Sequence, residues 1–155
     1  MWDRLRKQVS LELEQLNRLL ETHRPLLEKC PGIPPNDIEI SALAGLLHSF
    51  YTGMENIFKR IAIEVDGAPP RRSEFWHREL LDAMTRPSQH RSPAISSALR
   101  QRLREYLEFR HFFRQAYAFQ LHWSKMRPLV LGCEDTLRLL EADLEKLLRA
   151  GLAKE

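Results

Sequence analysis

From Leu5 onward, apolar residues recur at Val9, Leu13, Leu16 and Leu20, steps of four, four, three and four that lay one stripe along a helix. Pro25 kinks or ends that helix, and Cys30-Pro31-Gly32-Ile33-Pro34-Pro35 cannot continue one, because prolines lack the donor and favour extended backbone. Asp37 is placed to cap a second helix. Its stripe through Leu43, Leu46, Leu47, Phe50, Met54, Ile57, Phe58, Ile61 and Val65 is the most apolar in the chain, which predicts the central helix. Asp66-Gly67-Ala68-Pro69-Pro70 stops it, and Ser73 can cap a shorter helix containing Trp76, Leu80, Leu81 and Met84. After a polar connection over Arg86 to Pro93, a fourth helix is expected to carry Ile95, Leu99, Leu103, Tyr106, Leu107, Phe113 and Tyr117. Pro128 suits the first turn of a fifth, striped by Cys133, Leu137, Leu140, Leu144, Leu147 and Leu148. There is no internal repeat, no sustained heptad seam and no strand-like alternation of useful length. The pattern predicts an all-α, antiparallel bundle of about five helices.

Composition fits that picture. A chain of 155 residues with 43% hydrophobic and 29% charged residues and only 6 Gly can bury one core and is expected to form a single domain, 1–155. The N-terminus, Met1-Trp2-Asp3-Arg4-Leu5-Arg6-Lys7, passes straight into the amphipathic stripe, which predicts no exported leader. No apolar run approaches the ~20 residues needed to cross a bilayer. Cys30 and Cys133 are far apart and lack ligand spacing, so a reduced, cytoplasmic setting is the simplest reading, with a disulfide between them still open.

The formal net charge is +3, a mild value whose distribution matters more than its size. Residues 100 to 114 hold Arg100, Arg102, Arg104, Arg110 and Arg114 against Glu105 and Glu108, an excess equal to that of the whole chain. A solvated basic face and a nucleic-acid footprint both fit this segment. Gly-rich phosphate loops, HExxH, CxxC pairs and nucleophile elbows are all missing, so the common enzyme classes lose support. His23, His48, His77, His90, His111 and His122 are scattered, so neither a metal nor another cofactor is expected.

One stretch, Phe109-Arg110-His111-Phe112-Phe113-Arg114-Gln115-Ala116-Tyr117, has polar residues at helical spacing. Arg110, Arg114 and Tyr117 fall at i, i+4 and i+7, which would set two guanidinium groups and a phenol on one helix face, a surface suited to a phosphodiester. His111, Gln115 and His122 repeat the spacing on an adjacent face, a possible second contact surface. Spacing alone equally allows Tyr117 to pack in the core while the arginines pair with nearby acids.

Together with Tyr51-Thr52-Gly53-Met54-Glu55-Asn56-Ile57-Phe58-Lys59-Arg60-Ile61-Ala62 and Phe75-Trp76-His77-Arg78-Glu79-Leu80-Leu81, this stretch resembles the HepT-like branch of the HEPN superfamily over roughly residues 5 to 150. The family motif is an Arg, four to six residues, a His, and often a Tyr two places later. Arg110 matches the arginine and Tyr117 the tyrosine, while Gln115 stands where the histidine belongs. The resemblance implies a helical homodimer whose two motif copies line a shared cleft. It also implies metal-independent endoribonuclease activity in which the ribose 2′-hydroxyl attacks the adjacent phosphate, as in the toxin of a type VII-like toxin-antitoxin pair. Carried over, Arg110 would stabilise the phosphate charge and position 115 would handle the proton, while Arg114 and His111, placed by their spacing, would hold RNA phosphate. An amide at Gln115 can hydrogen-bond but cannot transfer a proton at ordinary pH. The resemblance further implies a minimal nucleotidyltransferase (MNT) antitoxin that transfers AMP from ATP to Tyr117, adding bulk and negative charge beside the arginines. The departure at Gln115 leaves three explanations: a histidine replaced so that the toxin can be produced, a natural variant that binds nucleotide or RNA without cutting, or another histidine in its place. Arg104 and His111 also satisfy the spacing, though no tyrosine follows them.

Overall fold

The computed structural model describes residues 1–155 and contains six α-helices. They are α1 (Trp2–Thr22), α2 (Arg24–Lys29), α3 (Asp37–Glu64), α4 (Trp76–Ala83), α5 (Ser97–Phe113) and α6 (Trp123–Ala153), with a 3-10 turn at Ala118–Gln120 between the last two. Extended pairing is confined to one bridge between Ser88 and Arg91. No helix is long and apolar enough to cross a membrane.

Four long helices form the bundle, and their cross-links fix the directions. Early residues of α1 meet late residues of α3: Gln8 donates to Glu64 at 3.3 Å, while Leu16 packs on Gly53. Trp2 lies against Gly151 and Asn17 bonds Glu141 at 3.1 Å, so α6 also runs opposite to α1. Ser96 N–H to Asp143 (3.0 Å), Arg102 to Asp135 (2.7 Å) and the Tyr106 hydroxyl to the Leu129 carbonyl (2.6 Å) set α5 against α6 in the same sense. Up-down alternation follows, as the spacing of apolar stripes predicts. At Gly53 an added Cβ would stand 2.6 Å from Leu16 Cδ2, so the closeness of α1 and α3 depends on a residue without a side chain.

α3 is the central helix. Phe50, Tyr51, Met54, Ile57, Phe58 and Ile61 on it are fully enclosed, each buried apolar side chain contributing about 1.5–3 kcal/mol. The five expected helices correspond to α1, α3, α4, α5 and α6, and several boundaries differ for local reasons. Pro25 ends α1 as anticipated but then starts the extra helix α2, where a proline in the first turn gives up no bond. Asn36, not Asp37, caps α3: Glu39 N–H donates to Asn36 Oδ1 (2.8 Å) and Asn36 N–H to Glu39 Oε1 (3.0 Å). That reciprocal pair needs an acid three residues on, and Ile40 could not supply it for Asp37. Ser73 does not cap α4; its carbonyl accepts from Trp76 N–H at 3.3 Å, and the helix begins only after Phe75. Ile95 precedes α5, whose cap is Ser96, accepting from Leu99 N–H at 3.1 Å. Pro128 sits inside α6 and not in its first turn. The Ser124 carbonyl it leaves unpaired belongs to an exposed residue and can bond water.

The largest difference concerns the end of α5. The helix stops at Phe113, and Gln115 and Ala116 turn back with N–H groups donated to the carbonyls of Phe112 (3.1 Å) and Phe113 (3.4 Å). Tyr117 is extended, its N–H caught by the Gln120 side chain at 2.8 Å. Tyr117 is therefore not on the face that carries Arg110.

Candidate functional site

Glu55 is a carboxylate in the middle of the apolar stripe of α3, 3% exposed. A carboxylate so placed requires a partner, and two helices provide one each. Arg110 on α5, itself 5% exposed, brings Nη2 to 2.9 Å from Glu55 Oε2. His77 on α4 brings Nδ1 to 2.6 Å from the same oxygen. Arg110 Nη1 donates to Thr52 Oγ1 at 3.2 Å, and the guanidinium lies over the Tyr51 ring, 4.9 Å from its centroid. Arg110 Nη2 is also 2.9 Å from His77 Nδ1. Because an ionised carboxylate only accepts, the short contact with Glu55 needs a proton on Nδ1; the Arg110 hydrogens then go to Glu55 and not to the ring.

Trp76 packs against His77 at a tilt of 31° with ring centroids 3.6 Å apart, and Lys59 in turn covers the indole at 5.0 Å. Lys59 Nζ also stands 3.9 Å from Glu55 Oε1. The electrostatic influence of Arg110 extends past these contacts. Burial, then the charges of Arg110 and Arg114, hold the His48 imidazole below its usual range, and burial pushes the enclosed Tyr51 phenol up.

His77 and Arg110 from this cluster line a cleft of about 270 Å³ between α4 and α5. Arg78, Arg104, Arg110 and Arg114 face it with His77 and His111, against only Glu74 and Glu108. The basic segment read from the sequence thus converges on an opening, with Arg78 added from a different helix. A larger groove of about 730 Å³ runs between α1 and α6, but acids (Glu14, Glu141, Glu145) outnumber bases (Arg6, Arg149) in its lining. No three His, Cys, Asp or Glu side chains gather as a metal site would require. Both cysteines are buried and unpaired, and burial raises the Cys133 thiol to about 11, far from the thiolate a nucleophile needs.

Of the residues singled out from the sequence, Arg110, His111 and Arg114 line this cleft together. Gln115 and Tyr117 do not: both are exposed on the turn after α5, outside the cleft lining. Tyr117 is 69% exposed and stacks on Phe119, rings 5.4 Å apart and 4° from parallel, so it is not a core aromatic either. Sequence reasoning missed Glu55 and His77. The signal for Glu55 was available, since a lone acid on the buried stripe of the most apolar helix needs a cation. For His77 there was none, because its partners lie 22 and 33 residues away.

A family model for HepT-like proteins matches residues 42–150, a span that includes α4, α5 and every residue of the cleft. No curated protein and no solved structure matches the chain. The chain belongs to the HepT-like family of the HEPN superfamily.

Proposed function

We propose that this HepT-like protein is the toxin of an HEPN/MNT pair: a metal-independent endoribonuclease acting as a homodimer, neutralised when an MNT antitoxin attaches AMP to Tyr117. The observation that carries this reading is the cleft that gathers Arg78, Arg104, Arg110 and Arg114, four cations that outnumber the lining acids Glu74 and Glu108 even though Glu108 stands 3.5 Å from Arg104. Guanidinium groups stay protonated at any relevant pH and hold phosphate oxygens in a fixed fork, so four of them around one opening suit a polyanionic chain. Tyr117 has the exposure that an enzyme working in trans needs, and attached AMP would add bulk and negative charge to the turn that follows α5.

A second reading is favoured by Gln115 itself. The side chain at the family's histidine position is an amide and lies outside the cleft, an arrangement that suits a module binding nucleotide or RNA without cutting it.

The test compares the purified chain, the Gln115→His variant and the Arg104→Gln/Arg114→Gln double variant on single-stranded RNA in the presence of a chelator. The nuclease reading expects cleavage, insensitive to chelation and strongly reduced in the double variant. RNA binding by the parent and Gln115→His, weakened in the double variant, with no cleavage by any of the three supports the binding module and removes the enzyme. Incubation with the cognate nucleotidyltransferase and ATP should add one AMP at Tyr117 and abolish RNA binding; modification elsewhere ends that part of the proposal.

A further inference from the structure

Given the nuclease reading, on which this inference rests, a proton carrier is still required, because Gln115 cannot serve. We infer that His77, aligned by Glu55, is the general base of the cleft. Three observations converge on it. His77 is the histidine in contact with Arg110, the residue assigned to the phosphate, at 2.9 Å. Its Nδ1 proton is committed to Glu55 at 2.6 Å, which fixes the tautomer and leaves the lone pair of the neutral ring on Nε2. The ring lines the cleft, its side chain 28% exposed, and Nε2 has no protein partner. A buried carboxylate orienting an imidazole from behind, with the other nitrogen free toward a cationic opening, is the arrangement that general-base catalysis uses on unrelated folds.

The step balances with RNA alone. Nε2 takes the 2′-hydroxyl proton as O2′ bonds to phosphorus, and the P–O5′ bond breaks. The departing O5′ takes a proton from solvent water, whose hydroxide recovers the proton from the imidazolium. The products are a 2′,3′-cyclic phosphate end and a 5′-hydroxyl end. Arg110, beside the ring, is placed to stabilise charge on the phosphate during the attack. His111 also lines the cleft but is an exposed residue, and no carboxylate is within hydrogen-bond distance of its ring.

The experiment measures RNA cleavage by the full chain, by His77→Gln and by His77→Gly, each checked for a native melt, and repeats the glycine variant with added imidazole. Position 77 is in the first turn of α4, where glycine costs little. His77→Gln and His77→Gly are expected to cleave at least about 100-fold more slowly than the parent. Imidazole should restore the glycine variant, whose missing ring leaves space for it, and not the glutamine variant. Parent-like cleavage by folded His77 variants overturns the inference, as does loss that imidazole does not restore. Rescue of His111→Gly in place of His77→Gly, or cleavage that appears only with Gln115→His, overturns it while the nuclease reading survives. Absence of cleavage in every variant, Gln115→His included, overturns both.

Discussion

Two arginines are buried in this bundle to the same extent, and they are used differently. Arg91 and Arg110 are each 5% exposed, and each meets a carboxylate from the α3 region. Arg91 donates Nε and Nη2 to the two oxygens of Asp66 at 2.8 and 2.9 Å, Nη1 to the carbonyls of Arg86 (2.9 Å) and Ser92 (3.2 Å), and Nη2 also to Ala83 (3.3 Å). Its five donors meet five fixed acceptors. The residue ties the polar connection before α5 to the end of α3, and nothing remains to offer a ligand. Arg110 gives one bond to Thr52 and one to Glu55, rests its face on Tyr51, and has Nε free of any protein acceptor at the wall of a cleft with three other arginines. Burial alone does not separate a cation with every donor committed from one with a donor to spare. The number of donors left over, and what they border, does.

The largest expected effect breaks the structural member of the pair. Arg91→Met removes the partner of Asp66 and leaves the Arg86, Ser92 and Ala83 carbonyls short of a donor. Because Asp66 is still 21% exposed and can recruit water, the cost should fall at the lower end of that for a broken buried pair, about 3 kcal/mol. Urea titration measures it, while RNA binding by the folded fraction should be unchanged. A loss below about 1 kcal/mol would mean that the five bonds are not what holds the connection.

Arg110, the member to which the proposal gives a catalytic role, should give the opposite result. Arg110→Lys keeps a charge near Glu55, and His77 and Lys59 still face that carboxylate, so the stability loss should stay within about 1–2 kcal/mol. Lysine cannot reproduce the planar fork at the phosphate, and cleavage is expected to fall about 100-fold, equivalent to about 2.7 kcal/mol at the transition state. If Arg110→Lys unfolds the protein while keeping its specific activity, the two arginines have been assigned the wrong way round.

What could be read from the sequence divides along similar lines. The four long helices follow from apolar periodicity, because stripes such as Leu5 to Leu20 or Cys133 to Leu147 leave one way to bury themselves. Helix ends were less legible, since they depend on which side chain reaches which N–H: Asn36 displaces Asp37 because Glu39 completes the pair, and Gln120 takes the Tyr117 N–H that a longer α5 would have used. Clustered charge and helical spacing singled out Arg110, His111 and Arg114, which the structure brings to one cleft. Glu55 could have been suspected as an acid on a buried stripe, but its partners, and His77 altogether, became visible only when the packing of three helices brought them to Arg110. The expected face of Arg110, Arg114 and Tyr117 failed through the same turn that exposes the tyrosine.

The smallest effect sharpens the comparison by testing whether the charge beside Arg110 is felt by its neighbours. His48 on α3 packs near Phe113, centroids 5.5 Å apart, and its imidazole is held below the usual range by burial first and by Arg110 and Arg114 second. Both arginines repel the protonated form, so removing one should move the group back up. In Arg114→Gln, an NMR titration should place His48 closer to its ordinary value than in the parent, whereas in Arg91→Lys it should not move. The stability profile follows with a definite sign. A histidine whose folded value lies below its unfolded one binds a proton more readily when unfolded, so its contribution is complete above the unfolded value and declines as pH falls through it. Arg114→Gln, by narrowing the gap, should lessen that acid-side decline without changing stability at higher pH. An unchanged His48 titration in Arg114→Gln would show that the basic cleft is screened from α3, and that the uncommitted charge reaches only the ligand side.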